Sequence, residues 1–195
     1  MYTAVGTVKT RAFRVIWLLE ELGQPYDHIA AAPRSPEALA HNPTGKVPAL
    51  IVDGTVLTDS VAIMTYLADK HGQFTNLAGT LARARQDSYT HFLLDEFEAL
   101  LWTASRHSFI LPEDRRLPAI KPTLHWEFSR SEQVLLTHLG DKPFLMGDTM
   151  TVPDLLLTHC LMWGMMAKFP PVSSRLAGYL AQMQARPAYQ RAMAR

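Results

Sequence analysis

Along its first third the chain switches between two rhythms of apolar residues. Met1–Val5 is a short apolar run compatible with a strand. From Arg11 to Leu22, Phe13, Ile16, Trp17, Leu18 and Leu19 recur at helical spacing while Glu20 and Glu21 stay polar, which predicts an amphipathic helix. Gly23 ends it and Pro25 follows, where a helix stop accepts glycine and cannot be continued by proline. Tyr26–Ala30 predicts a second strand. Ser35–His41 predicts a short helix with Pro36 in its first turn, where no N–H is needed. Two further apolar runs, Ala49–Val52 and Thr55–Leu57, flank Asp53-Gly54, a pair that accepts the positive φ of a tight hairpin turn. A last helix opens at Ser60, read as its cap, and carries Val61, Ile63, Met64, Tyr66 and Leu67. The order is β-α-β-α-β-β-α, a right-handed strand–helix–strand crossover followed by an antiparallel hairpin.

After Gly72 the pattern changes. Residues 73–79 read as a linker, and beyond them the periodicity is helical throughout. Leu81–Ile110 and Arg116–Leu139 predict two long helices, the second restrained at its start by Pro118 and Pro122. Pro153–Lys168, Ser174–Arg186 and Pro187–Arg195 complete a bundle. Thr151 with Asp154 three residues on predicts a capping box for the helix that buries Leu155, Leu156, Leu157, Cys160, Leu161 and Trp163. The expected division is therefore 1–72, an α+β domain, a linker at 73–79, and an all-α domain at 80–195.

Composition narrows the chemistry. Nineteen Lys and Arg against 18 Asp and Glu give no electrostatic drive toward nucleic acid or acidic membranes. One cysteine, Cys160, rules out an internal disulfide and a C-x-x-C redox pair. The first residues lack a basic-then-apolar leader and no apolar run approaches a membrane span, so a soluble, cytoplasmic protein is expected. The eight histidines are scattered without ligand spacing, and no metal site is expected.

Three segments carry candidate chemistry. In VGTVKTRAFRV, Thr10 stands where the first strand gives way to the first helix. A helix start favours an anion such as a thiolate, to which the Thr10 hydroxyl can donate; equally, Thr10 can be a simple cap. Thr7 and Lys9 are rivals for the same role. In GKVPAL, a cis bond at Val47–Pro48 would expose the Val47 N–H and C=O to an extended peptide, with Lys46 beside a carboxylate; an ordinary loop proline fits the same letters. In Thr58-Asp59-Ser60, Ser60 can present its hydroxyl and N–H groups to a carboxylate and Asp59 can pair with an ammonium, although capping is the commoner use of such residues.

Taken together, TRAFRVIWLLEELGQPYD, NPTGKVPALIVDG, LTDSVAIMTYLADKHG and FLMGDTMTVPDLLL closely resemble the glutathione transferase superfamily, above all bacterial members related to the theta, zeta and beta classes. The resemblance covers nearly the whole chain. It implies a thioredoxin-like amino-terminal domain followed by an all-helical one, glutathione as co-substrate, and a homodimer with the active site near the subunit interface. It places Thr10 at the position of the catalytic Ser or Cys, Val47 and a cis Pro48 against the cysteinyl backbone of glutathione, Asp59 and Ser60 at its γ-glutamyl end, and Lys46 near its glycine carboxylate. Thr in place of Ser and Asp59 in place of the usual Glu are departures. The family also places the second substrate against the first long helix of the bundle, here carrying Trp102, Arg106 and His107, residues that equally suit a bundle wall. The implied activity is activation of the glutathione thiol for attack on a small hydrophobic electrophile, with glutathione-dependent isomerisation or dehalogenation as variants. The absence of a loop cysteine argues against mixed-disulfide chemistry, and the lack of a Ser-Ser-Cys signature lowers the isomerase option. A binding or regulatory protein of the same fold is the alternative outside enzymes.

Overall fold

In the computed structural model, which describes residues 1–195, the chain packs as two units, Met1–Leu77 with Met183–Arg195, and Ala78–Gln182. The first holds strands β1 (Tyr2–Val5), β2 (Tyr26–Ile29), β3 (Ala49–Val52) and β4 (Thr55–Thr58) with helices α1 (Ala12–Glu21), α2 (Pro36–His41) and α3 (Ser60–His71). The sheet order is β2-β1-β3-β4: β1 pairs parallel with β2 and antiparallel with β3, and β4 returns antiparallel on β3. The hairpin turns at Asp53 and Gly54, both at positive φ. Helix α1 is buried from Ala12 through Leu19, so its apolar stripe is supplemented by burial of Arg14.

Two details of this unit differ from the sequence reading. Helix α3 is capped by Asp59 rather than Ser60: Asp59 Oδ1 accepts from the Val61 and Ala62 N–H groups at 2.9 and 3.0 Å. A carboxylate reaches the second and third N–H groups of a helix when it sits one residue before the first turn, and that leaves Ser60 inside the turn. The last residues of the chain, grouped by sequence with the helical domain, pack on α1 through α9 (Pro187–Met193). The Tyr189 ring stands edge-on to Phe13 and Trp17, with centroids 5.1 Å away in each case. Arg186 grips the Glu21 carboxylate with two bonds of 2.6 and 2.8 Å, and Glu20 receives Arg191, Arg195 and the Tyr26 hydroxyl. Burial and the bond to Glu20 push the Tyr26 phenol up to about 12, so it stays a donor.

The second unit is helical: α4 (Leu81–Leu93), α5 (Ala99–Ser105), α6 (Lys121–Leu139), α7 (Val152–Met166) and α8 (Ser174–Gln184), of which Met183 and Gln184 group with the first unit. The stretch expected as one helix over 81–110 is interrupted by π turns at Leu94–Glu98 and Arg106–Ile110, closed by bonds from Ala99 N–H to Leu94 and from Leu111 N–H to Arg106. Beside the second, the Ser105 and Ser108 hydroxyls bond back to the Leu101 and Ala104 carbonyls, a competition with the backbone ladder that loosens helices. Helix α7 crosses the core, and the reciprocal bond expected at its start forms: Thr151 N–H donates to Asp154 Oδ2 at 2.8 Å. Asp154 is fully buried and also accepts from Leu145 N–H and Tyr179 Oη, both at 2.8 Å, so one carboxylate ties the α6–α7 loop, α7 and α8 together. No helix is long and apolar enough to cross a membrane.

Candidate functional site

The candidate residues of the first unit converge at one end of the sheet. In the β3–β4 ladder Ala49 faces Thr58, so the Val47–Pro48 segment that enters β3 and the Asp59–Ser60 segment that leaves β4 lie at the same end of the hairpin. In the β1–β3 ladder Val5 faces Ala49, and just beyond it Gly6 approaches Val47. Gly6 is the point of contact: a Cβ built on it would lie 2.6 Å from Ala12 Cβ and 2.9 Å from Val47 Cβ, and its φ is +131°. Only glycine lets the start of α1 and the Val47 segment approach this closely.

The Val47–Pro48 peptide is cis. Lys46 on the preceding side is exposed, and its backbone is braced by Asn42, whose Nδ2 donates to the Lys46 carbonyl at 3.0 Å while its Oδ1 accepts from Thr44 N–H and Oγ1. Strand pairing of β3 begins at Ala49, and none of the chain's hydrogen bonds uses the Val47 N–H or C=O. A half-buried backbone donor and acceptor side by side are what an extended peptide needs to add itself to a sheet.

At the start of α3, Asp59 adopts φ +71° and ψ 124°, a conformation a non-glycine residue holds only where its surroundings compensate. The compensation is its double bond to Val61 and Ala62. Ile63 N–H is taken by the Asp59 carbonyl at 3.0 Å. That leaves the Ser60 N–H as the first-turn donor without a partner in the chain. The Ser60 side chain is buried, and its Oγ accepts from Arg14 Nη1 at 3.2 Å.

Thr10 precedes α1 by two residues. Its hydroxyl donates to the Thr7 carbonyl at 2.7 Å and accepts from Ala12 N–H at 3.2 Å. It therefore closes the turn that launches α1 and is only partly exposed. Trp102, Arg106 and His107 belong to the helical unit. Trp102 is half-buried with its ring 6.4 Å from Trp163. Arg106 Nη2 donates to Thr103 Oγ1 at 2.9 Å, and its Nε is buried without a partner. His107 Nδ1 accepts from Leu117 N–H at 3.0 Å and so holds the loop after the second π turn. No group of three or more His, Cys, Asp or Glu is arranged to hold a metal ion.

Sequence reasoning passed over three residues that shape this end of the sheet: Gly6, Asn42 and Arg14. Gly6 carried a signal, an isolated glycine at a strand end, which marks close backbone approach. Asn42 and Arg14 carried none, because both act through contacts distant in sequence or through a loop bond that letters do not disclose.

Comparison with known proteins identifies the family. Residues 10–70 match the family described as Glutathione S-transferase, N-terminal domain. The chain is 30% identical over 158 residues to Glutathione S-transferase GstA of Escherichia coli O157:H7, covering 79% of this chain and 75% of that protein. It superposes on the crystal structure of a glutathione transferase from Methylococcus capsulatus with a TM-score of 0.84 and 27% identity, over 100% of this chain and 98% of that one. It also superposes on glutathione transferase URE2P6 of Phanerochaete chrysosporium, solved in complex with oxidized glutathione, with a TM-score of 0.79 and 26% identity over 98% and 94% of the two chains. These similarities lead to one conclusion: the chain belongs to the glutathione S-transferase family.

Proposed function

We propose that the protein is a glutathione transferase that binds glutathione along the Val47 edge and activates its thiol for attack on a small hydrophobic electrophile. The observation that carries this reading is two unclaimed backbone features at one end of the β3–β4 hairpin: the N–H and C=O of Val47, which leads into β3, and the N–H of Ser60, which follows β4. Glutathione has a peptide unit at its cysteine and a carboxylate at its γ-glutamyl end. The cysteinyl N–H and C=O bond to Val47, the γ-glutamyl carboxylate accepts from Ser60, its ammonium faces the exposed Asp59 carboxylate, and Lys46 meets the glycine carboxylate. This docking leaves the sulfur at the opening turn of α1.

Activation is then electrostatic. Deprotonation of the thiol is favoured by the N-terminal end of α1 and by a hydroxyl that donates to the thiolate. Thr10 supplies that hydroxyl once its hydrogen turns from the Thr7 carbonyl to the sulfur. The thiol proton passes to water, the thiolate forms the carbon–sulfur bond while the bond from that carbon to its leaving group breaks and the leaving group departs as an anion with the electron pair, and fixing both reactants lowers the barrier further. Trp102, Arg106 and His107 are the candidates of the helical unit for contact with the electrophile. The protein works in the cytoplasm as a homodimer. Retention on immobilised glutathione together with conjugation of an aromatic electrophile tests the reading; a folded sample that neither binds nor conjugates refutes it.

One observation favours a second reading. Because the Thr10 hydroxyl already donates to Thr7 at 2.7 Å, the site can bind glutathione without activating it, which makes the protein a binding module. Retention on the resin with no thiolate formed in the complex selects that outcome.

A further inference from the structure

Arg14 is a cation with no solvent exposure, on the inward side of α1. A buried guanidinium is held in place by the groups its N–H donors bond, and one of these bonds reaches the start of α3. Its Nη1 donates to the Ser60 Oγ at 3.2 Å, and Ser60, itself only 3% exposed, opens α3. A hydroxyl oxygen that accepts from Arg14 on the inner side keeps its own hydrogen for the outer side. The donor so formed is polarised by the positive charge behind it, as in any chain of hydrogen bonds ending on an ion.

We infer that Arg14 is a positioning residue for anion recognition, acting through Ser60 to hold and strengthen the hydroxyl that meets the α-carboxylate of the γ-glutamyl group. The inference rests on the glutathione-binding reading above. Arg14 fixes the rotamer of Ser60, so that Ser60 Oγ–H and Ser60 N–H address one carboxylate together. The chain therefore discriminates for a ligand carrying a free α-carboxylate, and that selectivity originates on α1, one helix away from the residues that touch it.

Calorimetric titration with glutathione and with γ-aminobutyryl-cysteinylglycine, which lacks only the α-carboxylate, tests this on the native chain, Arg14→Lys, Ser60→Ala and the double variant. A charge-assisted bond corresponds to about tenfold or more in affinity. Arg14→Lys is expected to weaken glutathione by about that factor and to leave the analogue within about twofold. In the Ser60→Ala background the Arg14→Lys effect should largely vanish, because the two residues act as one unit. Equal loss for both ligands, or an undiminished effect without the Ser60 hydroxyl, overturns the inference and leaves Arg14 structural. A native chain that does not prefer glutathione over the analogue overturns the underlying site reading as well. If Arg14→Lys does not fold, the Arg14 side-chain N–H resonance of the native chain gives the same answer. It should move on adding glutathione and stay with the analogue; equal movement with both is the contrary result.

Discussion

Replacing Thr10 by valine separates helix launching from thiol activation. Valine keeps the shape and removes the hydroxyl, which in the structure donates to Thr7 O at 2.7 Å and accepts from Ala12 N–H at 3.2 Å. Loss of that cap costs about 1 kcal/mol of stability, or a fall in Tm of about 2–4 °C for a chain of this size. The effect on chemistry follows from an exchange. A hydroxyl donating to a thiolate contributes about 1.5–3 kcal/mol, but Thr10 first gives up its bond to the Thr7 carbonyl, worth about 0.5–1.5 kcal/mol. The net is about 1.4 kcal/mol, or about one pKa unit of the bound thiol. Thr10→Val should therefore raise the thiol pKa in the complex by about one unit, and Thr10→Ser should leave it near the native value or lower, since serine rotates without a methyl. Ultraviolet absorbance of the thiolate, followed against pH in the glutathione complex, reads this directly. A lower Tm with an unmoved thiol pKa would refute the reasoning: Thr10 would then be a cap alone, and Lys9, Thr7 or a backbone N–H would hold the sulfur.

Other expectations follow from the same geometry. Gly6→Ala brings a methyl to 2.6 Å from Ala12 Cβ at a φ of +131°, and should destabilise the first unit by about 3 kcal/mol in urea denaturation while abolishing glutathione retention. Asp154→Asn leaves several buried donors short of an acceptor; about 3 kcal/mol, read as a Tm lowered by about 6–12 °C, is expected. Burial works against ionisation of Glu20, but the bonds from Arg191, Arg195 and Tyr26 outweigh it and hold the carboxyl below the usual range. Its hold on the C-terminal helix is then complete above the ordinary glutamate pKa and is lost as pH falls through the lowered value. Hydrogen exchange of the α9 amides across the acidic range should show this loss in the native chain and not in Glu20→Gln.

Much of the first unit was legible because its signals are local. Asp53-Gly54 between two apolar runs can only reverse the chain, and the residue spacing around it fixes the register that sets Ala49 beside Thr58. The capping box at Thr151 and Asp154 was equally readable, since three residues define it. Choosing Ser60 over Asp59 as the cap of α3 failed because both residue types cap helices, and only the positive φ of Asp59 decides between them. The π turns within 81–110 left no trace in the apolar pattern, since one extra residue shifts a face without breaking its periodicity. The attachment of α9 to α1 depends on Arg186 meeting Glu21, 165 residues away, and the burial of Arg14 on its meeting with Ser60. Pairings at that separation are set by the finished fold rather than by neighbours in sequence.

Everything functional here turns on where glutathione lies. Amide resonances of the uniformly labelled chain, recorded during titration with glutathione, locate it without any variant. The Val47 and Ser60 N–H signals should shift most and become protected from solvent exchange as the tripeptide takes up bonds that the chain itself leaves open. If those two amides stay unmoved and unprotected while glutathione binds, the tripeptide sits elsewhere and the account is wrong.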